Sequence, residues 1–345
     1  MKTLGRWWVC VLLAAPVTLP AQAPPGSSIV KMAPALDAIL GPTARLEVLK
    51  GDYFGLLARP VWVQDGASGY LLFSDVPANA VFKWTPDGTI SRFLDRSGYT
   101  GSQPNAVGAI VSNGQFSVVF NGSSGVALDP QGRLLIAATA DRTVVRIEKD
   151  GTRTVVADRW EGKRLSSPIE IAVKTNGSIY VTDGTAGLRN RTTDPTRQID
   201  FEGVFLVKDA TVVALDNVRE ALPSGITLTP DERRLIVGSN RKIIAYDIRP
   251  DDTIANPSVV IDWTENREGG WGPRIGVVHD LKGNLFATGP GGIWVLSPTG
   301  THLGTIRTPE GIISLAFGDN DGKGLYLAGR RSLFRVRVQS PGMMP

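Results

Sequence analysis

One short pattern recurs six times along most of this sequence, and the repetition limits the possible folds more than any other feature. Each copy begins with an apolar strand, passes through a polar turn containing Gly, Asp or Asn, and returns through a strand of aliphatic or aromatic residues. Long amphipathic helical periodicity is hard to find, so the pattern predicts an all-β chain. The six copies lie at 61–88, 125–151, 168–184, 225–248, 276–300 and 311–338.

The spacing of the copies predicts a six-bladed β-propeller. Copies begin roughly every 40–60 residues, which is the period of repeat units with three or four strands. One such sheet cannot bury both of its faces, whereas six sheets arranged radially bury each face against a neighbour. The last copy lacks an outer strand, and ARLEVLKG (44–51) is expected to supply it and close the ring. A β-sandwich or two stacked sheets is the alternative.

Shorter segments flank the predicted propeller, which covers 44–340. Residues 24–43 begin with PPGSS and are predicted to be a linker, because Pro, Gly and Ser mark irregular chain. Residues 341–345 are predicted to be a tail.

The first 23 residues have the composition of a signal peptide. Lys2 and Arg6 precede a short apolar run, and Ala21-Gln22-Ala23 fits a cleavage site. The apolar run is too short to cross a bilayer, which takes about 20 residues. We therefore predict export to the periplasm or the outside of the cell, with an uncleaved membrane anchor as the alternative.

Cysteine content and charge exclude several classes of site. Cys10 is the single cysteine and lies in the predicted signal peptide, so the mature chain has no disulfide, cysteine metal ligand or cysteine nucleophile. The net charge of +4 falls to +2 without Lys2 and Arg6, since 35 basic residues (37 − 2) then balance 33 acidic ones. Basic residues are scattered, which argues against a nucleic-acid partner. We expect no membrane segment beyond the signal peptide, and we expect a monomer.

Propeller geometry predicts where a small-molecule ligand would bind. The innermost strands line a central channel, and the loops that enter these strands form its mouth. In the repeats, the mouth is therefore marked by the residues at the start of each first strand.

Several stretches are specific enough to compare with known families. They include YLLFSDVPANAVFKW (70–84), RSGYTG (96–101), ADRWEGKRLSSP (157–168) and GNLFATGPGGIWVLSPTG (283–300). These stretches resemble the gluconolactonase and senescence-marker-protein family, in particular its exported bacterial branch, and the resemblance runs over 44–338. It implies a six-bladed propeller that hydrolyses sugar lactones with a divalent metal, often calcium or zinc, at the channel mouth.

The resemblance also implies a metal held by four short motifs, and all four ligand positions are changed here. The Glu of the first motif corresponds to Ala58, and the Asn of the second corresponds to Ile169. The Asn of the third corresponds to Ser224, and the Asp of the fourth, a ligand and proposed base, corresponds to Ile275. Calcium takes six to eight oxygen ligands and zinc takes three or four N, O or S ligands. We therefore expect no metal cofactor, with backbone carbonyls and water as the remaining possible ligands.

Other polar residues near the mouth are candidates for ligand binding. Two further channel positions, Asn in the family, hold Ser124 and Ser314. Arg59 and Arg274 flank two of the changed ligand positions, and guanidinium groups there would favour an anion or a carboxylate-bearing ligand. The alternatives are that these arginines face solvent or pair with a carboxylate such as Glu170.

Three titratable side chains are candidates for catalysis without a metal. Strand alternation predicts that Glu170 points away from the channel if Ile169 faces it, which favours a structural role. His279 has the same parity as Ile275, so it is a candidate acid–base group inside the channel, or a hydrogen-bonded histidine beside the next turn. Asp183 begins a loop that often covers the substrate in the family, or it caps its own turn.

These observations favour an exported gluconolactonase-like propeller that has lost the family's metal site and binds a small molecule at the channel mouth. The alternative is a hydrolase of sugar lactones or related esters, either metal-independent or metal-dependent through replacement ligands.

Overall fold

The computed structural model describes residues 23–112, 117–215, 222–266 and 275–344, so nearly all of the predicted signal peptide lies outside it. Within the described residues, helix is limited to α1 (Asp37–Leu40) and the 3-10 turns Pro34–Leu36, Pro104–Ala106 and Arg191–Thr193. The strands are β1 Ser28–Lys31, β2 Leu46–Lys50, β3 Leu57–Asp65, β4 Ser68–Asp75, β5 Ala80–Trp84, β6 Ile90–Asp95, β7 Ile110–Ser112, β8 Ser117–Val119, β9 Val126–Leu128, β10 Leu134–Ala138, β11 Thr143–Ile147, β12 Arg153–Ala157, β13 Arg159–Trp160, β14 Lys163–Arg164, β15 Pro168–Val173, β16 Ile179–Asp183, β17 Gly203–Lys208, β18 Thr211–Ala214, β19 Pro223–Leu228, β20 Arg234–Ser239, β21 Lys242–Ile248, β22 Ile254–Asp262, β23 Val277–His279, β24 Leu285–Gly289, β25 Gly292–Leu296, β26 His302–Arg307, β27 Ile312–Gly318, β28 Gly324–Gly329 and β29 Leu333–Arg337.

The strands form six antiparallel sheets, which are the blades of the predicted six-bladed β-propeller. Blades 1 to 5 begin with β3, β9, β15, β19 and β23, and each contains four consecutive strands. Blade 6 contains β27–β29 and takes its outer strand, β2, from the N-terminal side of the chain. The predicted closure by residues 44–51 is therefore confirmed. Two small hairpins, β7–β8 and β13–β14, lie outside the blades.

The outer strand of a blade is less buried than the strands inside it, and the residue composition follows this difference. Leu134–Ala138 reads LLIAA and is buried at every position, as expected for a strand covered on both faces. The outer strand Ile90–Asp95 reads ISRFLD and is mostly exposed. Neighbouring blades share apolar clusters, such as the one that joins Tyr180 of blade 3 to Val237 of blade 4. Among the described residues, no helix is long and apolar enough to cross a membrane.

The prediction of a linker over 24–43 is wrong, because much of this segment packs on the propeller. β1 pairs antiparallel with β26 and adds a fifth strand to blade 5. Leu36, Ile39 and Leu40 are buried in a cluster with side chains of blades 5 and 6. Burying each such side chain stabilises the fold by about 1.5–3 kcal/mol, which outweighs the irregular character suggested by the PPGSS start.

The predicted tail also packs against the propeller, which corrects that prediction. Gly342 forms a β-bridge with Asp280 in blade 5, and its N–H donates to the carbonyl of Gly322 in blade 6 at 2.8 Å. The N–H of Met343 donates to the carbonyl of His279 at 2.9 Å. Residues 341–344 therefore lie across blades 5 and 6.

A buried carboxylate joins blades 3 and 4. Asp252, in the turn between β21 and β22, accepts hydrogen bonds from Lys174 Nζ at 2.5 Å, Lys208 Nζ at 2.7 Å and Ser178 Oγ at 2.8 Å. Its side chain is 1% exposed. Burial alone would raise the pKa of Asp252, but hydrogen bonds from the two lysines, Ser178 and Asn176 outweigh burial and hold the pKa well below its usual range.

We expect Asp252→Asn to lower the free energy of unfolding by about 2 kcal/mol near pH 6, because two lysines lose their carboxylate partner. A depressed pKa contributes stability above the unfolded pKa of about 4, and this contribution is lost as the pH falls below that value. The difference between wild type and variant should therefore shrink towards pH 3 in urea unfolding. Asp251→Asn is the control, since that carboxylate bonds Thr253 in its own turn. An equal loss in both variants would contradict the assignment.

Candidate functional site

The channel mouth is built from residues at the start of the innermost strands. Ala58, Ile169 and Ser224 lie in β3, β15 and β19, while Ser124 and Ile275 lie two residues before the first residues of β9 and β23. Because these strands converge around the channel, the residues line one small pocket, and the four positions that the resemblance assigns to metal ligands are close in space. The pocket is completed by Leu56, Leu57, Val76, Phe120, Glu170 and Ile313.

An irregular strand register turns two consecutive side chains into the channel. The pairing of β15 with β16 shifts between Pro168 and Ile171, and β3 has a similar shift near its start. An extra residue in one strand interrupts the alternation of faces. Ile169 and Glu170 consequently both line the mouth pocket. The prediction that Glu170 points away from the channel is wrong for this reason.

Arg59 and Glu170 form an ion pair inside the channel. Arg59 Nη1 donates to Glu170 Oε2 at 2.8 Å and to the carbonyl of Ile226 at 2.6 Å. Ser314 Oγ donates to Glu170 Oε1 at 2.9 Å. The side chains of Arg59 and Glu170 are 15% and 8% exposed. Since the four residues belong to blades 1, 3, 4 and 6, this network connects four blades across the channel.

The ion pair decides between the two interpretations of Arg59. Its guanidinium is neutralised by Glu170. The alternative that Arg59 pairs with a carboxylate therefore describes the structure better than the interpretation that it binds an anionic ligand. Ser314, predicted as a ligand-binding residue, is engaged with the same carboxylate. Arg274 lies outside the described residues.

An apolar cover lies over the mouth, and sequence reasoning missed it. Val118 and Phe120, in and just after β8, pack in one cluster with Leu56 and Ala58 of the mouth. The hairpin region is fixed by the N–H of Ala109, which donates to the carbonyl of Ala186 at 2.8 Å. The space left in the mouth is about 20 Å³, which is room for about one water. Asn-Gly between two β-branched runs, at 110–119, was the signal for this hairpin.

His279 does not line the channel, contrary to its candidacy as an acid–base group. Its neighbour Val278 faces the channel instead, while His279 is buried with Nδ1 3.0 Å from the carbonyl of Leu228. Burial lowers the pKa of His279 to about 4 against the opposing effect of the Leu228 carbonyl and Asp280. The hydrogen-bonded alternative therefore describes this histidine.

Asp183 is fully buried and supports the start of β15. It accepts the backbone N–H of Ser166 at 2.8 Å and of Ser167 at 2.6 Å. Burial raises the pKa of Asp183 to about 7, against the opposing effect of these two N–H donors and of Arg142. The carboxylate is used in positioning the loop that carries Ile169 and Glu170, and it does not line the mouth pocket.

Comparison with known proteins shows the family of the chain. Residues 60–330 match the family described as the SMP-30/Gluconolactonase/LRE-like region. The chain belongs to this family. A gluconolactonase from Zymomonas mobilis subsp. mobilis is 32% identical over 323 residues, which cover 91% of this chain and 87% of that protein.

Solved structures share the propeller fold with this family member. A gluconolactonase from Xanthomonas campestris superposes with a TM-score of 0.72 at 23% identity, over 94% of this chain and 100% of that one. Regucalcin from Agrobacterium tumefaciens strain C58, a calcium-binding protein, superposes with a TM-score of 0.63 at 15% identity, over 85% and 95% of the two chains. At these identities the likeness supports the fold alone.

At the four positions that the resemblance assigns to metal ligands, the side chains do not fit a calcium or zinc ion. Ala58, Ile169 and Ile275 have hydrocarbon side chains. The Ser224 hydroxyl accepts the N–H of Ile275 at 2.8 Å, and the Glu170 carboxylate is paired with a cationic side chain. In the parts of the chain that the structure describes, no three His, Cys, Asp or Glu side chains are placed to hold a metal. A divalent cation prefers several carboxylate or carbonyl oxygens, which these side chains do not supply.

We expect Arg59→Met and Glu170→Met each to lower the free energy of unfolding by about 3 kcal/mol, because each leaves a buried charge without its partner. The double variant should lose clearly less than the sum, with a coupling energy of about 2 kcal/mol in a double-mutant cycle measured by urea unfolding. The exposed pair Lys31–Asp37 is the matched control and should show a coupling below about 1 kcal/mol. Additive losses at Arg59 and Glu170 would show that the ion pair does not couple the blades.

Proposed function

We propose that this family member is an exported propeller that binds a small molecule at its channel mouth without a metal ion. The observation that supports the proposal most strongly is the Arg59–Glu170 pair. It pairs the one carboxylate that lines the described mouth pocket with a guanidinium, at 2.8 Å, next to the positions that the resemblance assigns to a divalent cation. A metal cation close to the same carboxylate would be repelled by the guanidinium of Arg59, and the neighbouring hydrocarbon side chains offer the cation no ligand.

The chemistry of the mouth favours a ligand with an apolar face. Hydrocarbon side chains supply most of the lining, and Ser124 and Ser224 supply the hydroxyls. The small space indicates that binding displaces Val118 and Phe120 from the cluster over the mouth. The ligand would then contact Ile169 and Ile275, at the positions of two of the family's metal ligands.

A hydrolase of sugar lactones or related esters is the second candidate. It is supported by the 32% identity to a gluconolactonase and by Glu170, a carboxylate that lines the mouth. In this candidate, Glu170 would act as a general base, or as one ligand of a metal completed by backbone carbonyls and water. Either role requires Arg59 to move away from the carboxylate.

A panel of lactones, including gluconolactone, distinguishes the candidates when hydrolysis is followed with and without a chelator. We expect no chelator-sensitive turnover, and no turnover above that of Glu170→Gln, because the carboxylate is held by Arg59. The control variant is Glu148→Gln, whose carboxylate pairs with Arg146 away from the mouth.

Chelator-sensitive turnover that calcium or zinc restores would contradict the proposal and establish a metal lactonase. Chelator-insensitive turnover that Glu170→Gln abolishes would support a metal-independent hydrolase instead.

Export and a monomeric state are parts of the same proposal. Export is supported by Lys2, Arg6 and the Ala21-Gln22-Ala23 site in the sequence. We propose no nucleic-acid partner and no membrane contact for the mature chain, since its basic residues are scattered.

A further inference from the structure

A second cavity lies deeper along the same channel. Its lining residues follow the mouth residues by two or three positions in the same strands: Val61 follows Ala58, and Ile171 follows Ile169. At about 3.3 Å per strand residue, this inner cavity lies roughly 7–10 Å further from the mouth.

The ion pair separates the inner cavity from the mouth. Arg59 lines the inner cavity, whereas Glu170 lines the mouth pocket. In the described structure, the hydrogen bonds of the Arg59 guanidinium are made by Nη1, to Glu170 and Ile226. A guanidinium carries five N–H donors, so donors remain at the wall of the inner cavity. Because Glu170 already neutralises the charge, these donors suit an uncharged oxygen acceptor better than an anion.

The size and the rest of the wall favour a single apolar ring. The cavity has a volume of about 120 Å³, and its wall includes Trp62, Ile171, Val278 and Phe317. An apolar cavity of about 150 Å³ lined by Leu, Ile and Phe is large enough to bind benzene. A molecule with about six to eight non-hydrogen atoms therefore matches the space.

Two methionines cover the end of the inner cavity that faces solvent. Met343 and Met344 line it, and the backbone at Gly342 and Met343 is fixed to blades 6 and 5 by hydrogen bonds. Methionine side chains are flexible and polarizable, so they adapt to the shape of a ligand. Met343 is half-buried and Met344 is exposed, which gives a small molecule a path from solvent past their side chains.

We propose that the inner cavity is a second binding site, which takes a small uncharged molecule with one apolar ring and one oxygen acceptor directed at Arg59. This site is distinct from the channel mouth, and it stands whether the mouth binds a ligand, hydrolyses one or does neither.

Methionine methyl NMR tests the proposal directly, with cyclohexanone as the probe. Apart from Met1, the methionines of the chain are Met32, Met343 and Met344. Titration of the ¹³C-methyl-labelled protein should shift the Met343 and Met344 signals with a dissociation constant on the order of 1 mM or below. The exposed Met32 signal is the internal control and should not move. Cyclohexanecarboxylate and glycerol should bind at least about tenfold more weakly, because one is charged and the other lacks an apolar ring.

Two variants locate the ligand within the cavity. Ala316→Leu fills part of the space and should abolish the shifts, whereas Ala67→Leu, on an exposed turn, should leave them unchanged. Arg59→Lys keeps a positive charge beside Glu170 but removes the spare guanidinium donors. It should weaken cyclohexanone binding about tenfold while changing benzene binding less than about twofold.

Xenon-pressurised crystals of the wild type give a reading that does not depend on whether a variant folds. Xenon bound beside Phe317 and Ile171, together with the methyl shifts, is the expected result. Saturable shifts that persist in a folded Ala316→Leu variant would overturn the proposal. The absence of both xenon and methyl shifts in the wild type would do the same.

Discussion

An ion pair is stable away from water only where other groups hold both partners in place, and in this chain four blades hold one inside the channel. Arg59 comes from blade 1 and Glu170 from blade 3, while Ile226 and Ser314 fix them from blades 4 and 6. The rest of the site depends on this arrangement. It divides the channel into the mouth and the inner cavity, and it neutralises the carboxylate of the mouth.

The same arrangement links the strand geometry to the proposed function. Strand irregularities at the starts of β3 and β15 turn Arg59 and Glu170 inward beside Ala58 and Ile169. Three of the positions that the resemblance assigns to metal ligands hold hydrocarbon side chains, and the guanidinium of Arg59 is the cationic partner of the one carboxylate that the described mouth residues supply. The scaffold of the family is thus kept, and in our proposal an ion pair and an apolar cover replace the chemistry that the resemblance implies for its metal site.

Sequence reasoning predicted the fold well because the propeller is encoded locally and repeatedly. The sequence of each copy predicts the strands and turns of that copy. The last copy lacks an outer strand, which is why residues 44–51 were predicted to complete blade 6. The prediction of a linker over 24–43 was wrong because the burial of three side chains, Leu36, Ile39 and Leu40, stabilises packing on the propeller despite the Pro-rich start of the segment. Local patterns alone do not reveal which distant surface such side chains will meet.

The site was harder to predict, because a shift of one or two residues along a strand changes which side chains line the channel. The family's short motifs singled out Ala58, Ile169, Ser224 and Ile275. In the structure, these four residues line one pocket. Strand alternation then failed at Glu170, since a local register shift reverses the direction of a side chain. It failed at His279 as well, where Val278 takes the channel position. The cover of Val118 and Phe120 comes from a hairpin outside the repeat, so the repeat itself carried no sign of it.

Metal analysis of the purified mature protein tests the central claim most directly. The chain is loaded with calcium or zinc, dialysed into metal-free buffer, and analysed by inductively coupled plasma mass spectrometry alongside Glu170→Gln. An ion pair in place of the cation predicts far less than one metal ion per chain in both proteins. One tightly held calcium or zinc ion per wild-type chain, absent from Glu170→Gln, would contradict the account.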